Sequence, residues 1–159
     1  MTERRDKLLI TSFGFTLVLR NVPVLEFHDQ WMPYINWDEV HDLVVRALAH
    51  KPGPLTGNEL QFIRRYQSEE LSELAATLGV DTATAISWEE RGDRPTGMSR
   101  DQEITLRKRV LTRQNATNPA TKEVAALFDD DETNHRLALI FDDVGKPNFN
   151  YQEPPAEEL

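Results

Sequence analysis

The side chains best suited to chemistry lie between Arg64 and Arg94, and the chemistry they suit is non-covalent. Thr82, Ala83, Thr84, Ser87 and Trp88 offer small polar and apolar contacts of the kind that reach base edges in a duplex groove. Arg64, Arg65, Arg91 and Arg94 offer cations to phosphates. No Arg or Asn stands among residues 82–87 to bond a base bidentately, so direct readout is expected to be modest. Catalysis is not expected. The chain has no Ser/His/Asp set, no Gly-rich phosphate loop and no His-Glu-x-x-His spacing, and its carboxylates are dispersed. It has no cysteine, which excludes disulfides and thiolate zinc ligands. Its histidines, at 28, 41, 50 and 135, are scattered, so neither metal nor cofactor is expected.

Three short helices must position these groups. Thr56 with Glu59 forms a capping box that predicts a helix over 56–66. Ser68 is expected to cap a second helix, on which Leu71, Leu74, Ala75 and Leu78 share one face, and Gly79 stops it in a left-handed conformation. Asp81 then caps a third helix over 82–91, with Ile86 expected inward and Ala85 or Trp88 beside it. Two helices joined by a short Gly-containing turn make a helix-turn-helix, whose second helix enters the major groove in proteins that use it. The same arrangement also occurs in all-α domains that bind no nucleic acid.

Upstream, residues 8–19 and 22–27 are rich in β-branched and aromatic residues and predict strands, with the turn or edge signal at Asn21-Val22-Pro23. Asn36 caps a helix through Asn-x-x-Glu, on which Val40, Leu43, Val44, Ala47 and Leu48 are apolar. Lys51-Pro52-Gly53-Pro54 reads as a short stiff linker, on which the N-terminal module packs or swivels. Downstream, Ser99 with Gln102 repeats the capping box and opens a helix to about Gln114, with Ile104, Leu106, Val110 and Leu111 inward. Asn118-Pro119 opens another short helix. The expected fold is α+β: a small β module with a helix over 1–50, an all-α helix-turn-helix domain over 54–115, and an acidic, partly disordered extension over 116–159.

Charge follows these boundaries. The net −9 divides into 5 Lys+Arg against 7 Asp+Glu over 1–50, 10 against 10 over 51–115, and 3 against 10 over 116–159. The central part is thus neutral and carries Arg64, Arg65, Arg91, Arg94, Arg100, Arg107, Lys108, Arg109 and Arg113 for a phosphate-facing side. The extension suits a basic partner instead, through Asp129, Asp130, Asp131 and Glu132 and the apolar run that includes Leu137, Leu139 and Phe141. Its other reading is a solubilising tail that adds one strand to the N-terminal sheet. No apolar run approaches the roughly 20 residues of a membrane span, so a soluble intracellular protein is expected.

The run ELSELAATLGVDTATAISWEERGDRP resembles the Cro/repressor (XRE) type of helix-turn-helix in its Leu-Ala-x-x-Leu-Gly-Val core, its Trp-Glu and its Pro after a Gly turn. It departs where the family opens its second helix with Ser-Gln, for Glu70 and Leu71 stand there, and Gly92 comes one residue late. Either the third helix has an extra residue, or Ile86 and Glu90 take the family's places and Trp88 points outward. Asn21-Val22-Pro23-Val24 and the phrase LTGNELQFIRR, from Leu55, are similar to MqsA/YgiT-type antitoxin regulators. That family's zinc knuckle is replaced by Phe27, Asp29, Gln30 and Trp31. Phe27, Trp31, Tyr34 and Trp37 are expected to form a small aromatic core in its place; the alternative is an exposed patch around Trp31 that binds a partner. The resemblance implies a cytoplasmic homodimer that represses a palindromic operator in duplex DNA and neutralises a basic toxin, a ribonuclease being one candidate. The alternative is a protein-binding module that keeps the helix-turn-helix fold without operator recognition.

Overall fold

In the computed structural model, residues 3–115, 137–142 and 149–152 are described. The chain opens on a sheet. Strand β1 (Glu3–Ile10) runs antiparallel to β2 (Leu17–Phe27), with Lys7 opposite Arg20 and Ile10 opposite Leu17. The turn expected at Asn21-Val22-Pro23 does not reverse the chain: β2 continues through it, with a local irregularity at Asn21, whose φ is 54°. The chain reverses instead at residues 11–16, where Gly14 has a φ of 91° and donates its N–H to Thr11 O at 3.1 Å. Glycine meets no Cβ penalty at that angle, whereas Pro23 is extended by its own ring and tolerates a strand.

Strand β3 (Gln30–Pro33) folds back on β2 through His28 and Asp29, with φ values of 52° and 62°, the two positive angles that a tight two-residue hairpin of type I′ needs. Then comes helix α1 (Trp37–Ala49), whose first turn Asn36 caps: its Oδ1 accepts from the N–H groups of Asp38 at 3.0 Å and Glu39 at 3.4 Å.

The sheet is completed from far along the chain. Strand β4 (Ala138–Phe141) lies parallel to β2, with Leu139 opposite Leu17 and Phe141 opposite Leu19. Strand β5 (Asn150–Gln152) pairs antiparallel with β4, which gives the order β1-β2-β4-β5, with β3 also on β2. All four residues of β4 are buried, so both faces of this central strand are covered. Arg20 and Asp142, in contact at 3.0 Å, close its end.

The sheet core is aliphatic, built on Leu17, Leu19, Val22, Val24 and Leu139 with Phe141. The expected aromatic core is overturned, because Phe27, Trp31, Tyr34 and Trp37 are all exposed. The apolar burial comes instead from aliphatic residues and from β4, imported from far along the chain. Among the described residues, no three His, Asp or Glu side chains come together as metal ligands, and no helix is long and apolar enough to cross a membrane.

Two units result: residues 1–44 with 137–159, and residues 45–136. The division falls between Val44 and Val45, inside α1, and away from the Lys-Pro-Gly-Pro segment. That segment belongs to the second unit, where buried ions hold it.

The second unit contains α2 (Gly57–Tyr66), α3 (Leu71–Leu78), α4 (Thr82–Glu89) and α5 (Arg100–Asn115). The capping box at Thr56 is present, and Glu59 also accepts from Lys51 Nζ at 2.6 Å. Arg107 is fully buried and donates to the carbonyls of Lys51 and Gly53. Glu103, one turn before Arg107, accepts from Leu55 N–H at 2.6 Å. Burial is the largest influence on the Glu103 carboxyl and raises its pKa, against the opposing pull of Arg107, the Leu55 N–H and Lys51. These ions close the loop between α1 and α2 onto α5. The fold class is α+β.

Candidate nucleic-acid interface

The turn between α3 and α4 is built by backbone chemistry. Gly79 sits at φ 73°, and Val80 donates its N–H to Ala75 O at 3.0 Å, so the last carbonyls of α3 are satisfied by the turn that ends it. Two residues later Asp81 starts α4, its carboxylate accepting from Thr84 N–H at 2.8 Å and Thr84 Oγ1 at 2.6 Å. The side-chain bond from Thr84, followed by its backbone bond, lowers the Asp81 pKa. This cap is therefore complete above about pH 3.8 and weakens as the pH falls through the lowered value.

The start of α3 differs from expectation. Ser68 does not cap it; at φ 53° Ser68 is part of the turn that ends α2, with its N–H on Arg65 O and the Glu69 N–H on Arg64 O. Glu70 is the capping position, and its N–H donates to the Glu73 carboxylate at 3.3 Å.

What fixes the angle of α4 is Gly57. A Cβ at this position would lie 2.6 Å from Glu89 O, 2.7 Å from Trp88 O and 2.8 Å from Gly92 N. The N-terminal amides of α2 bond that same corner: Gly57 N–H donates to Arg94 O at 3.1 Å and Asn58 N–H to Gly92 O at 2.8 Å. Two otherwise orphaned donors at one helix start thus meet carbonyls just past the end of another.

The inward residues of α4 are Ala85 and Trp88, the latter 5% exposed, facing a unit core that includes Leu74, Ala75 and Leu78 of α3. Trp88 is therefore withdrawn as a groove-facing residue. Ile86, expected inward, is 39% exposed and takes the outward place. The reason is the i, i+3 spacing of two apolar side chains: once Ala85 and Trp88 face inward, Ile86 is carried about 100° round the helix.

Thr82, Ala83, Ile86 and Ser87 form the outward face, with Glu90 at its end. Thr84 is half-buried and engaged with Asp81, and Ser87 donates its hydroxyl to Thr84 O at 2.6 Å. Each hydroxyl keeps acceptor lone pairs for a ligand.

Of the four expected phosphate contacts, Arg65, Arg91 and Arg94 are exposed. Arg64 is not one of them: its Nε donates to Glu89 at 2.6 Å, its Nη2 to the same carboxylate at 3.0 Å and its Nη1 to Glu69 O at 2.9 Å. That hydrogen-bonded carboxylate raises its pKa and holds the guanidinium between α2 and α4. Arg107 is likewise interior, and Arg109 is ion-paired with the buried Glu69. Sequence reasoning missed the burial of Arg107; the one signal for it is that Arg107 stands three residues from both Ile104 and Val110, on the inward side of α5. No local signal points to its carbonyl partners.

The chain matches no family model, no curated protein and no solved structure. Its own geometry carries the functional reading.

That geometry gives α4 small side chains, so its backbone can approach a groove wall closely. Ala83 and Ile86 suit the methyl group of thymine, and Thr82 and Ser87 suit either hydrogen-bonding sense. Against this stand Glu70, Glu73, Asp81 and Glu90, all exposed on or beside the same pair of helices.

The expected partner-binding residues fare differently. Asp129, Asp130, Asp131 and Glu132, and the short helix expected from Asn118, lie outside the described residues. Leu139 and Phe141 are buried in β4 and Leu137 is half-buried, so this run is sheet core and does not await a partner. The reading as an added strand is the one the sheet pairing carries, and β5 adds a second. Trp31 is exposed on β3.

Proposed function

We propose that this chain is a DNA-binding transcriptional regulator of antitoxin type, cytoplasmic, that represses a palindromic operator as a homodimer and neutralises a basic toxin. The observation that supports the DNA half is the α3–Gly79–Val80–Asp81–α4 unit, with Thr82, Ala83, Ile86 and Ser87 outward and Arg65, Arg91 and Arg94 exposed. The toxin half rests on the MqsA/YgiT-type resemblance and on the acidic charge of residues 116–159. Half-sites would lie about one helical turn, ~34 Å, apart.

Each phosphate contact releases counterions, so affinity should fall steeply with salt. Replacing Arg91 or Arg94 with Ala should reduce the slope of log affinity against log salt by about one. Ser87→Glu should abolish sequence preference. Fluorescence anisotropy over a library of short duplexes measures all three, and equal affinity for every duplex at low salt would sink the operator reading.

A second reading, a module that binds protein and not DNA, is favoured by one observation. Arg64 and Arg109 are spent on Glu89 and Glu69, and the outward side of α3 and α4 is left acidic. That reading expects no salt-dependent binding to any duplex.

A further inference from the structure

The unit formed by residues 1–44 and 137–159 contains a feature that DNA recognition does not use. Among the described residues, seven large hydrophobic side chains are exposed, and five of them, Phe27, Trp31, Met32, Tyr34 and Trp37, fall within eleven positions. Exposed apolar surface concentrated in this way marks an interaction site far more often than scattered single residues do.

Beside them is a groove of about 540 Å³, lined by Leu8, Ile10, Phe13, Pro33, Trp37 and His41 among others. The end of β1, the loop after it, the end of β3 and the first turns of α1 form its walls. Phe13 meets His41 edge-on at 5.2 Å, which fixes one wall, and Trp37, 39% exposed, stands one helical turn before His41. Trp31 shares a face of β3 with Pro33 by strand alternation, so it extends the apolar surface past the groove.

Charge selects the occupant. Residues 21–45 contain Glu26, Asp29, Asp38, Glu39 and Asp42 and no Lys or Arg. On α1, the exposed Asp38 and Glu39 directly follow Trp37, so the start of the helix beside the groove is acidic, with Arg46 in its last turn; Lys7 borders the β1 side, next to Leu8. A second copy would bring the same acidic helix against this one, and like charges facing each other cost affinity. A basic surface gains on both counts.

We infer that this groove is the docking site for a basic protein, which seats an aromatic or aliphatic side chain between Phe13, Pro33 and Trp37 and sets Lys or Arg residues against Asp38 and Glu39. The apolar anchor supplies most of the affinity and the charged rim supplies orientation and on-rate. The inference rests on the partner-binding half of the proposed function and gives it a surface, in place of the β4 run that is committed to the sheet.

The test is isothermal titration of the full chain with three synthetic peptides: an Arg- and Lys-rich peptide with a central Trp-Leu pair, the same peptide with that pair replaced by Ser-Ser, and the same peptide with its cations replaced by Glu. The first should bind, and each of the other two should bind about tenfold or more weakly. Trp37→Ala, and separately the pair Asp38→Lys and Glu39→Lys, should each weaken the first peptide by a similar factor. The Lys pair is surface-exposed and decides the matter if Trp37→Ala disturbs folding by circular dichroism. Equal binding of the Ser-Ser peptide would reduce the site to unspecific charge attraction and overturn the inference, as would no binding at all. A wild-type dimer that Trp37→Ala converts to monomer in sedimentation would make a second copy the occupant, with the same consequence. DNA affinity of the same samples separates the failures: peptide binding lost with DNA binding kept overturns this site alone, and loss of both removes the proposed function with it.

Discussion

Arg107 and Glu103 illustrate how far a residue's type can mislead about its role. An Arg in a cluster of Arg and Lys suggests a phosphate contact, yet Arg107 is fully buried and donates to Lys51 O and Gly53 O. Removing one member of such a set leaves an uncompensated buried charge. Arg107→Gln should cost about 3–5 kcal/mol at neutral pH, measured by urea denaturation. The pH dependence has a definite sign. Burial raises the folded pKa of Glu103 above its ordinary value of about 4.5, so its contribution is fully present below that pH and is lost as pH rises through the folded value. Without Arg107 the folded value rises further. The variant should therefore lose stability over a wider range above about pH 4.5 than the parent, and a parallel pair of pH profiles would refute this. Gly57 carries a different constraint. Gly57→Ala would press a Cβ against three backbone atoms within 2.8 Å, which cannot rotate away, and should cost about 1–3 kcal/mol by the same measurement.

For the elements, the capping chemistry was legible in the sequence except at α3, where Glu70 and not Ser68 is the cap, and the facing of α4 was not. Thr56/Glu59, Asn36, Asp81 and Ser99/Gln102 all cap where local pattern placed them, because a capping bond needs only residues within three positions. Helix α4 has eight residues and apolar candidates on more than one side, so periodicity alone left Ala85, Ile86 and Trp88 in competition. Packing against α3 and the close approach of α2 at Gly57 decided it. Trp88→Ala should then destabilise the domain by about 3–5 kcal/mol, whereas Ile86→Ala should change stability by only about 0.5 kcal/mol and weaken DNA binding. Thermal unfolding with duplex titration distinguishes the two, and the reverse ranking in stability would return Ile86 to the core.

At the scale of the whole molecule, the separation of β2 from β4 in sequence is the largest consequence of the fold. Leu17 and Leu139 are opposite each other in one sheet although 122 positions apart. A chain ending at residue 136 would expose one side of β2 and leave Leu17, Val18 and Leu19 without their buried neighbours. It should lose the unfolding transition of the sheet unit while keeping that of residues 45–136, seen by calorimetry; two intact transitions would mean that β4 is dispensable. By itself, the sequence determined the net charge and its placement, the absence of thiol chemistry, the caps of α1, α2, α4 and α5 and the Gly79 turn, since each depends on residue type or on neighbours within one helical turn. Only the tertiary structure decided which aromatic residues stay outside, which arginines are spent inside, and that the apolar run of the acidic C-terminal extension supplies a central strand. Those outcomes depend on which distant surfaces compete for the same apolar burial and the same buried carbonyls, and local periodicity carries no information about that competition.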